Sequence, residues 1–347
     1  MIDSALAKRR RSRSTPISTR RKLVYSIVLV SPIPAFLLSM LIGSYDLSIA
    51  DVFDAVLARI TGRSAESSLV VLDIRMPRII AAGLCGMAIS VAGATLQGVL
   101  RNPLVDPYIL GLSSGGAFGA ALSIVVLPWL PTQAGAFVFA LVALALAYSM
   151  ARTKGETPIV ALVLSGVITS SIFTALLSIV QIMATERSLQ AIVFWIMGSF
   201  NGTTWGQLQY VWLPILIGTG IIFALRWRLN VLALGDREAA SVGMPVERYR
   251  LIFVVCSALI AAMAVSIAGV VALVGLIVPH MIRMMLGPDH RRLIPATAAL
   301  GATFLMLVDD LARTVGQFEI PISIITTLVG APFFWILLRR TSSASWS

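Results

Sequence analysis

Charge is what this chain has least of. Asp, Glu, Lys and Arg make up 12% of its 347 residues, about half the share in soluble domains. Hydrophobic residues reach 58% and the mean hydropathy is +0.91. That balance excludes an ordinary soluble domain. There are only two cysteines, Cys85 and Cys256. Both fall inside apolar runs, so they read as small core residues rather than a disulfide or metal pair. The two histidines, His280 and His290, have guanidinium neighbours (Arg283, Arg291, Arg292), which are not metal ligands. No GxxxxGK[ST] loop, HExxH or paired-cysteine motif is present, so the chain carries no nucleotide or metal machinery of its own. Asp, Glu and Lys are absent from the middles of the apolar runs, which argues against a proton- or sodium-coupled carrier.

What is present is a series of membrane-length apolar runs. A span needs roughly 20 apolar residues. Ten spans are expected, near 23–43, 79–100, 107–127, 134–151, 158–183, 208–225, 251–272, 274–287, 293–312 and 321–338. The fold class expected is therefore all-α and integral to the membrane. Between the first two spans, Ile49, Val52, Phe53, Val56, Leu57 and Ile60 recur at helical spacing, which predicts an amphipathic helix on the outer surface. AIVFWIM, near Ala191, is too short to span and predicts an outer half-helix, with Trp195 and Trp205 at the interface. With an N-in, C-in topology, 21 of the 27 Lys and Arg fall inside and six outside, as the positive-inside rule requires. Residues 1–22 read as a basic cytoplasmic tail touching anionic lipid, 23–340 as one transmembrane domain and 341–347 as a second tail. The +11 charge is thus a topology signal and implies no nucleic acid.

An internal repeat joins AISVAGATLQGVLRNPLVDPYILG, from Ala88, to AVSIAGVVALVGLIVPHMIRMMLG, from Ala264. Ala88, Ser90, Gly93, Pro103 and Gly111 align with Ala264, Ser266, Gly269, Pro279 and Gly287. The first copy runs outer to inner and the second inner to outer, so the repeat is inverted, as in many transporters.

The longest polar break is RWRLNVLALGDREAASVGMPVERYR, Arg226–Arg250. Asn230 is placed to cap one short turn and Asp236 a second, which Gly243 closes. The break is either a handle for another protein or a solvated loop. Ser171, Thr174 and Ser178 share one helix face. They either line a wet pathway or bond back to their own helix. Outside, Arg75, Arg78 and Arg313 either pair with an acidic partner or snorkel to headgroups.

Taken together, RMPRIIAAGLCGMAISVAGATLQGVLRNPLVDPYILGLSSGGAFGA, LALGDREAASVGMPVERYR, GVVALVGLIVPHMIRMMLGPDHRRLIPATAALGATFLMLVDDLAR and EIPISIITTLVGAPFFWILL resemble the FecCD-type permeases of ABC importers. The resemblance covers most of the chain after residue 70. The basic tail has no counterpart in the family pattern. The resemblance implies a multi-pass cell-membrane permease that works as a homodimer or close heterodimer. Two cytoplasmic ATPase subunits would hold MgATP below, with no cofactor on this chain, and a substrate-binding protein would dock above. It implies that the loop with Leu232, Leu234, Gly235, Asp236, Ala239, Ala240 and Gly243, within coupling helices at 230–243, meets the ATPase. Arg75, Arg78 and Arg313 would face glutamates of the binding protein. Asn102, Leu104 and Thr157 would form a cytoplasmic gate. Ser323, Thr326 and Thr327 would join the Ser/Thr stripe along the pathway. The cargo implied is an iron-siderophore-type chelate, with haem, cobalamin or molybdate/tungstate as alternatives. A secondary carrier independent of ATP is the competing class, and a membrane scaffold a weaker one.

Overall fold

The computed structural model describes residues 19–43, 45, 47–62, 68–153, 155–316 and 318–341. Of the two expected tails, only 19–22 and 341 lie among the described residues. Residues 19–22 are already helical, because α1 begins at Thr19 (α1, Thr19–Val30). Pro32 and Pro34 withhold their N–H groups, so α1 stops and α2 (Pro32–Leu41) leaves at 40°. Ser31 fills the break, its Oγ donating to Val28 O at 2.8 Å and meeting Thr303 Oγ1 at 2.8 Å.

The outer amphipathic helix is α3 (Ile49–Thr61). Ser48 and Asp51 close a capping box at its start and Gly62, in the left-handed region, ends it. Ile49, Phe53 and Ile60 are exposed, as a helix lying at an interface requires. A π-helical turn, Leu69–Arg75, then leads into α4 (Met76–Val99). A short turn, Pro107–Leu110, precedes α5 (Leu112–Val125), followed by α6 (Thr132–Ala151) and α7 (Ile159–Met183). The outer half-helix is α8 (Glu186–Met197). The chain continues as α9 (Trp205–Leu232), α10 (Asp236–Ser241), α11 (Val246–Ala268), α12 (Val274–Leu286), α13 (His290–Thr314) and α14 (Ile322–Thr341). No strand occurs among the described residues.

Six helices are long and apolar enough to cross a membrane, the bent pair α1–α2 makes a seventh, and α5, α12 and the first part of α14 are shorter apolar helices. Those ten segments match the ten expected spans. α5 and α12 are short because the chain breaks ahead of them, at 100–106 and at 269–273.

The bundle is built around α4. It packs on α13, α11 and α12, and 78% of its most apolar window is buried, against 28% for α7 and for α9. Small residues make this possible. A Cβ on Gly86 would overlap the Gly301 carbonyl of α13, and one on Gly93 would overlap the Gly275 carbonyl of α12. At these crossings backbone meets backbone, the packing mode of membrane helices that lack a hydrophobic drive to associate.

The repeat is visible in the backbone. α4 and α11 are both long, and each gives way to an irregular stretch and then a shorter helix. The aligned Gly111 and Gly287 both have positive φ, +83° and +92°. Arg101 and Leu273, in the two irregular stretches, are the only described non-glycine residues with positive φ.

Candidate functional site

Two clusters of polar groups lie at opposite ends of this bundle. The inner one forms around the long polar break. Asn230 does not cap a turn there. α9 runs through it to Leu232, since Leu229 and Leu232 are buried against the bundle. The Asn230 side chain is instead taken up by α13. Its Nδ2 donates to Asp289 Oδ1 at 2.7 Å, and its Oδ1 accepts from the His290 N–H at 2.9 Å and meets Nδ1 at 2.8 Å. Burial alone would raise the Asp289 carboxyl. Hydrogen bonds from the Arg291 N–H and Asn230, with the charges of Arg291 and Arg292, hold it below the usual carboxylate range. The expected pair of coupling helices at 230–243 is therefore one short helix, α10.

Gly235 has φ +129°, a backbone conformation that other residues rarely adopt, so glycine turns the chain from α9 into α10. Gly243, at φ +78°, closes α10 as expected. Leu232 and Ala239 are buried and hold this element to the bundle. Leu234 (68% exposed), Ala240, Ser241 and Val242 (69%) point away from it.

Asp236 ties α10 to its neighbours. Its Oδ1 accepts from Arg250 Nη2 at 2.8 Å and lies 3.5 Å from Arg101 Nη2. Arg250 is buried. Its Nη1 donates to the Thr157 carbonyl at 3.1 Å, and it also pairs with Glu247. Arg101 belongs to the loop that carries Asn102 and Leu104. There the Asn102 carboxamide accepts the Leu104 N–H at 2.9 Å, and Leu104 is exposed. The structure thus brings the expected coupling residue Asp236 beside the expected gate loop. Thr157 enters through its backbone. Its side chain is buried, with Oγ1 3.3 Å from Tyr148 Oη, so it presents no free hydroxyl. Next to this cluster, Gln97 joins the first irregular stretch to the start of α12. Its Nε2 donates to Val105 O (3.1 Å) and Gly275 O (3.4 Å), and its Oε1 accepts from Arg283 Nη2 (2.9 Å).

At the outer end the three expected arginines converge on one pocket of about 380 Å³, with Tyr45, Phe318 and Glu319 at its walls. None presents an uncommitted guanidinium. Arg75 ends the π-turn and Arg78 lies in the first turn of α4, and the two take different partners. Arg75 is buried and donates to the carbonyls of Met40 (2.7 Å), Leu41 (3.2 Å) and Tyr45. Arg78 grips Asp309 with two nitrogens, Nε at 2.9 Å and Nη2 at 2.8 Å, and Nη2 also pairs with Glu319. Arg313 pairs with Asp310, which accepts the Ser39 hydroxyl at 2.6 Å, and donates to Ser39 O at 2.8 Å. Asp309 and Asp310 are buried acids that sequence reasoning passed over. Their signal was an acid pair late in an apolar helix, with Arg313 three residues on. Removing one partner of so buried a pair strands a charge, at about 3–5 kcal/mol.

Along α7, Ser171, Thr174 and Ser178 face an open groove with Ser170 and Ile109. Ser171 Oγ donates to Val167 O and Ser178 Oγ to Thr174 O, both at 3.0 Å, so the stripe is exposed and also bonded back along its helix. Ser323, Thr326 and Thr327 lie on α14, outside that groove. Thr327 is exposed, whereas Thr326 is buried with its hydroxyl on Ser323 O at 3.2 Å. Trp205 is half-exposed at the start of α9, its Nε1 donating to Leu72 O at 2.8 Å. Both cysteines are buried and free, and no cluster of potential metal ligands occurs among the described residues.

A multi-pass helical bundle, broken at its centre, with an exposed helix tied to one mouth and an ion-pair cluster at the other, is the build of a membrane permease. Comparison with known proteins gives the family. The model of the FecCD transport family matches residues 29–340, and the chain belongs to that family. It is the permease subunit of an ABC importer. The chain is 38% identical over 325 residues to the molybdate import system permease protein MolB of Haemophilus influenzae, covering 92% of this chain and 96% of that one. It is 37% identical to the cobalamin import system permease protein BtuC of Halobacterium salinarum (79% and 74% covered). It is 36% identical to the hemin transport system permease protein HmuU of Yersinia pestis (79% and 84%). A solved structure described as an inward-facing conformation of a metal-chelate type ABC transporter superposes with a TM-score of 0.82 at 35% identity, covering 92% of this chain and 99% of that one.

Proposed function

We propose that this permease works as a homodimer between two ATPase subunits and an external binding protein, importing an iron-siderophore-type chelate by alternating access. One observation carries the coupling reading: Asp236 of the exposed helix α10 is shared by Arg101 of the gate loop and Arg250, which holds the Thr157 carbonyl. A push on α10 therefore reaches the loop with Asn102 and Leu104 through an ion pair, without crossing the bundle. Leu234, Ala240 and Val242 are the contact face for the ATPase. Leu232, Gly235 and Ala239 shape and anchor it. Arg75, Arg78 and Arg313 form the docking pocket for acidic side chains of the binding protein.

Ser171, Thr174, Ser178, Ser323 and Thr327 line the pathway where two copies meet, and Thr326 supports them from behind. Weak hydroxyl contacts suit a bulky chelate, which must leave as readily as it enters. Molybdate is the second reading, favoured by the 38% identical molybdate relative. The test is uptake of radiolabelled ferric siderophore and of molybdate into vesicles holding the full complex, with ATP inside and the proton gradient collapsed. Continued uptake of the siderophore is expected. Uptake of molybdate alone overturns the cargo, and loss of all uptake favours a gradient-driven carrier.

A further inference from the structure

The outer pocket holds an acid that the docking reading does not use. Glu319 lies in the loop between α13 and α14, on the pocket wall beside Arg78. Arg78 divides its donors between two carboxylates. Asp309 is 1% exposed and takes Nε and Nη2 as a fork, which fixes the guanidinium in place. Glu319, 23% exposed, shares Nη2 from the open side. The first partner is permanent by burial. The second sits where a carboxylate arriving from outside would have to sit.

Glu319 also lies just before the start of α14. Three residues on, the chain enters α14, and the Ile322 N–H is held by Gly198 O at 2.9 Å. Next to Gly198, the Ser199 N–H is held by Ala268 O at 3.0 Å, at the break between α11 and α12. Glu319 lines a second outer pocket too, shared with Gly198, Ser199, Ala268 and Gly269. One side chain therefore borders both the docking pocket and the outer face of the central break.

We propose that Glu319 is an internal stand-in for the docking carboxylate. In the undocked permease it occupies Arg78 and pins the start of α14 to Gly198 and, through Ser199, to the Ala268 end of α11. An acidic side chain of the binding protein takes its place on Arg78, leaving the Arg78–Asp309 fork intact. The loop at 318–321 is released, and the outer end of α14 becomes free to swing. Docking and opening are then one exchange of carboxylates, in which the partner replaces a charge already present and desolvates no new cation. This rests on the docking reading of Arg78.

The test uses the full permease–ATPase complex in nanodiscs, with its cognate binding protein as the probe. Glu319→Gln keeps the shape and removes the charge. Two results are expected. The binding protein binds about five- to tenfold tighter, because it no longer competes with an internal acid. Without any binding protein, hydrogen exchange at Ile322 quickens relative to the parent. Unchanged or weaker binding, or unchanged exchange at Ile322, overturns the stand-in. A double variant, Arg78→Gln with Asp309→Asn, leaves no buried charge unpaired and tests docking separately. If it loses binding while Glu319→Gln changes nothing, docking stands and the stand-in falls. If it binds like the parent, both fall.

Discussion

Replacing Ala240 with Trp is expected to cut transport about 100-fold while leaving ATP hydrolysis running, a loss at the upper end of ordinary coupling free energies. The physical basis is the split between the two faces of α10. Ala239 is buried, so a large residue there would lift the helix off the bundle and confound coupling with folding. Ala240, the next residue, is exposed. A bulky group there obstructs what docks from the cytoplasm. The Asp236–Arg250 pair stays intact, so the handle keeps its shape while its contact surface is spoiled. Uptake and phosphate release measured together on the same vesicles check this. Equal loss of both rates would mean the ATPase has simply dissociated, and parental rates of both would remove α10 from the coupling path.

Gly93→Leu is expected to be the most damaging single change in the membrane core. A Cβ at this position already overlaps the Gly275 carbonyl and presses on its Cα, so backbone rather than a flexible side chain must yield. Overpacking a core normally costs about 1–3 kcal/mol. Here α4 and α12 have to separate, and a cost above about 4 kcal/mol is expected, in the tail of single-substitution effects. Gly220→Ala is the matched control. It sits on an exposed face of α9 with nothing within 4 Å of its Cβ, and the change should be neutral or stabilising by up to about 1 kcal/mol. Thermal melts in detergent, followed by size-exclusion, separate the two. A Gly93→Leu protein that melts with the parent would mean the central crossing is looser than the packing implies.

Much of this was legible in the sequence because it depends on local pattern. Span positions follow from apolar length, and α3 follows from its six apolar residues at helical spacing. Gly111 and Gly287, matched in the repeat, share a positive φ. What the sequence did not yield is partnership at a distance. Nothing near Asn230 says that Asp289 and His290 will claim its side chain, so a capped turn was expected where α9 continues. Arg75 and Arg78 look equivalent at one turn's spacing. Arg75, the last residue of the π-turn, goes to the carbonyls of Met40, Leu41 and Tyr45, and Arg78, in the first turn of α4, goes to Asp309, more than 200 positions away in the chain. Thr157 is polar in sequence, yet its contribution is a carbonyl. Thr326 and Thr327 are adjacent, and helix rotation alone buries one and exposes the other.

The most direct test of the coupling account is a single cysteine at Val242. The native Cys85 and Cys256 are buried, so a mild oxidant or a short bifunctional reagent should leave them alone. Val242 is 69% exposed at the end of α10. Paired with cysteines along the cytoplasmic cleft of the ATPase, Val242→Cys should form a crosslink whose yield changes when ATP is bound, and locking it should stop uptake. A Val242→Cys protein that never crosslinks to the ATPase, while its complex still transports, would contradict the assignment of α10 as the element through which ATP drives this permease.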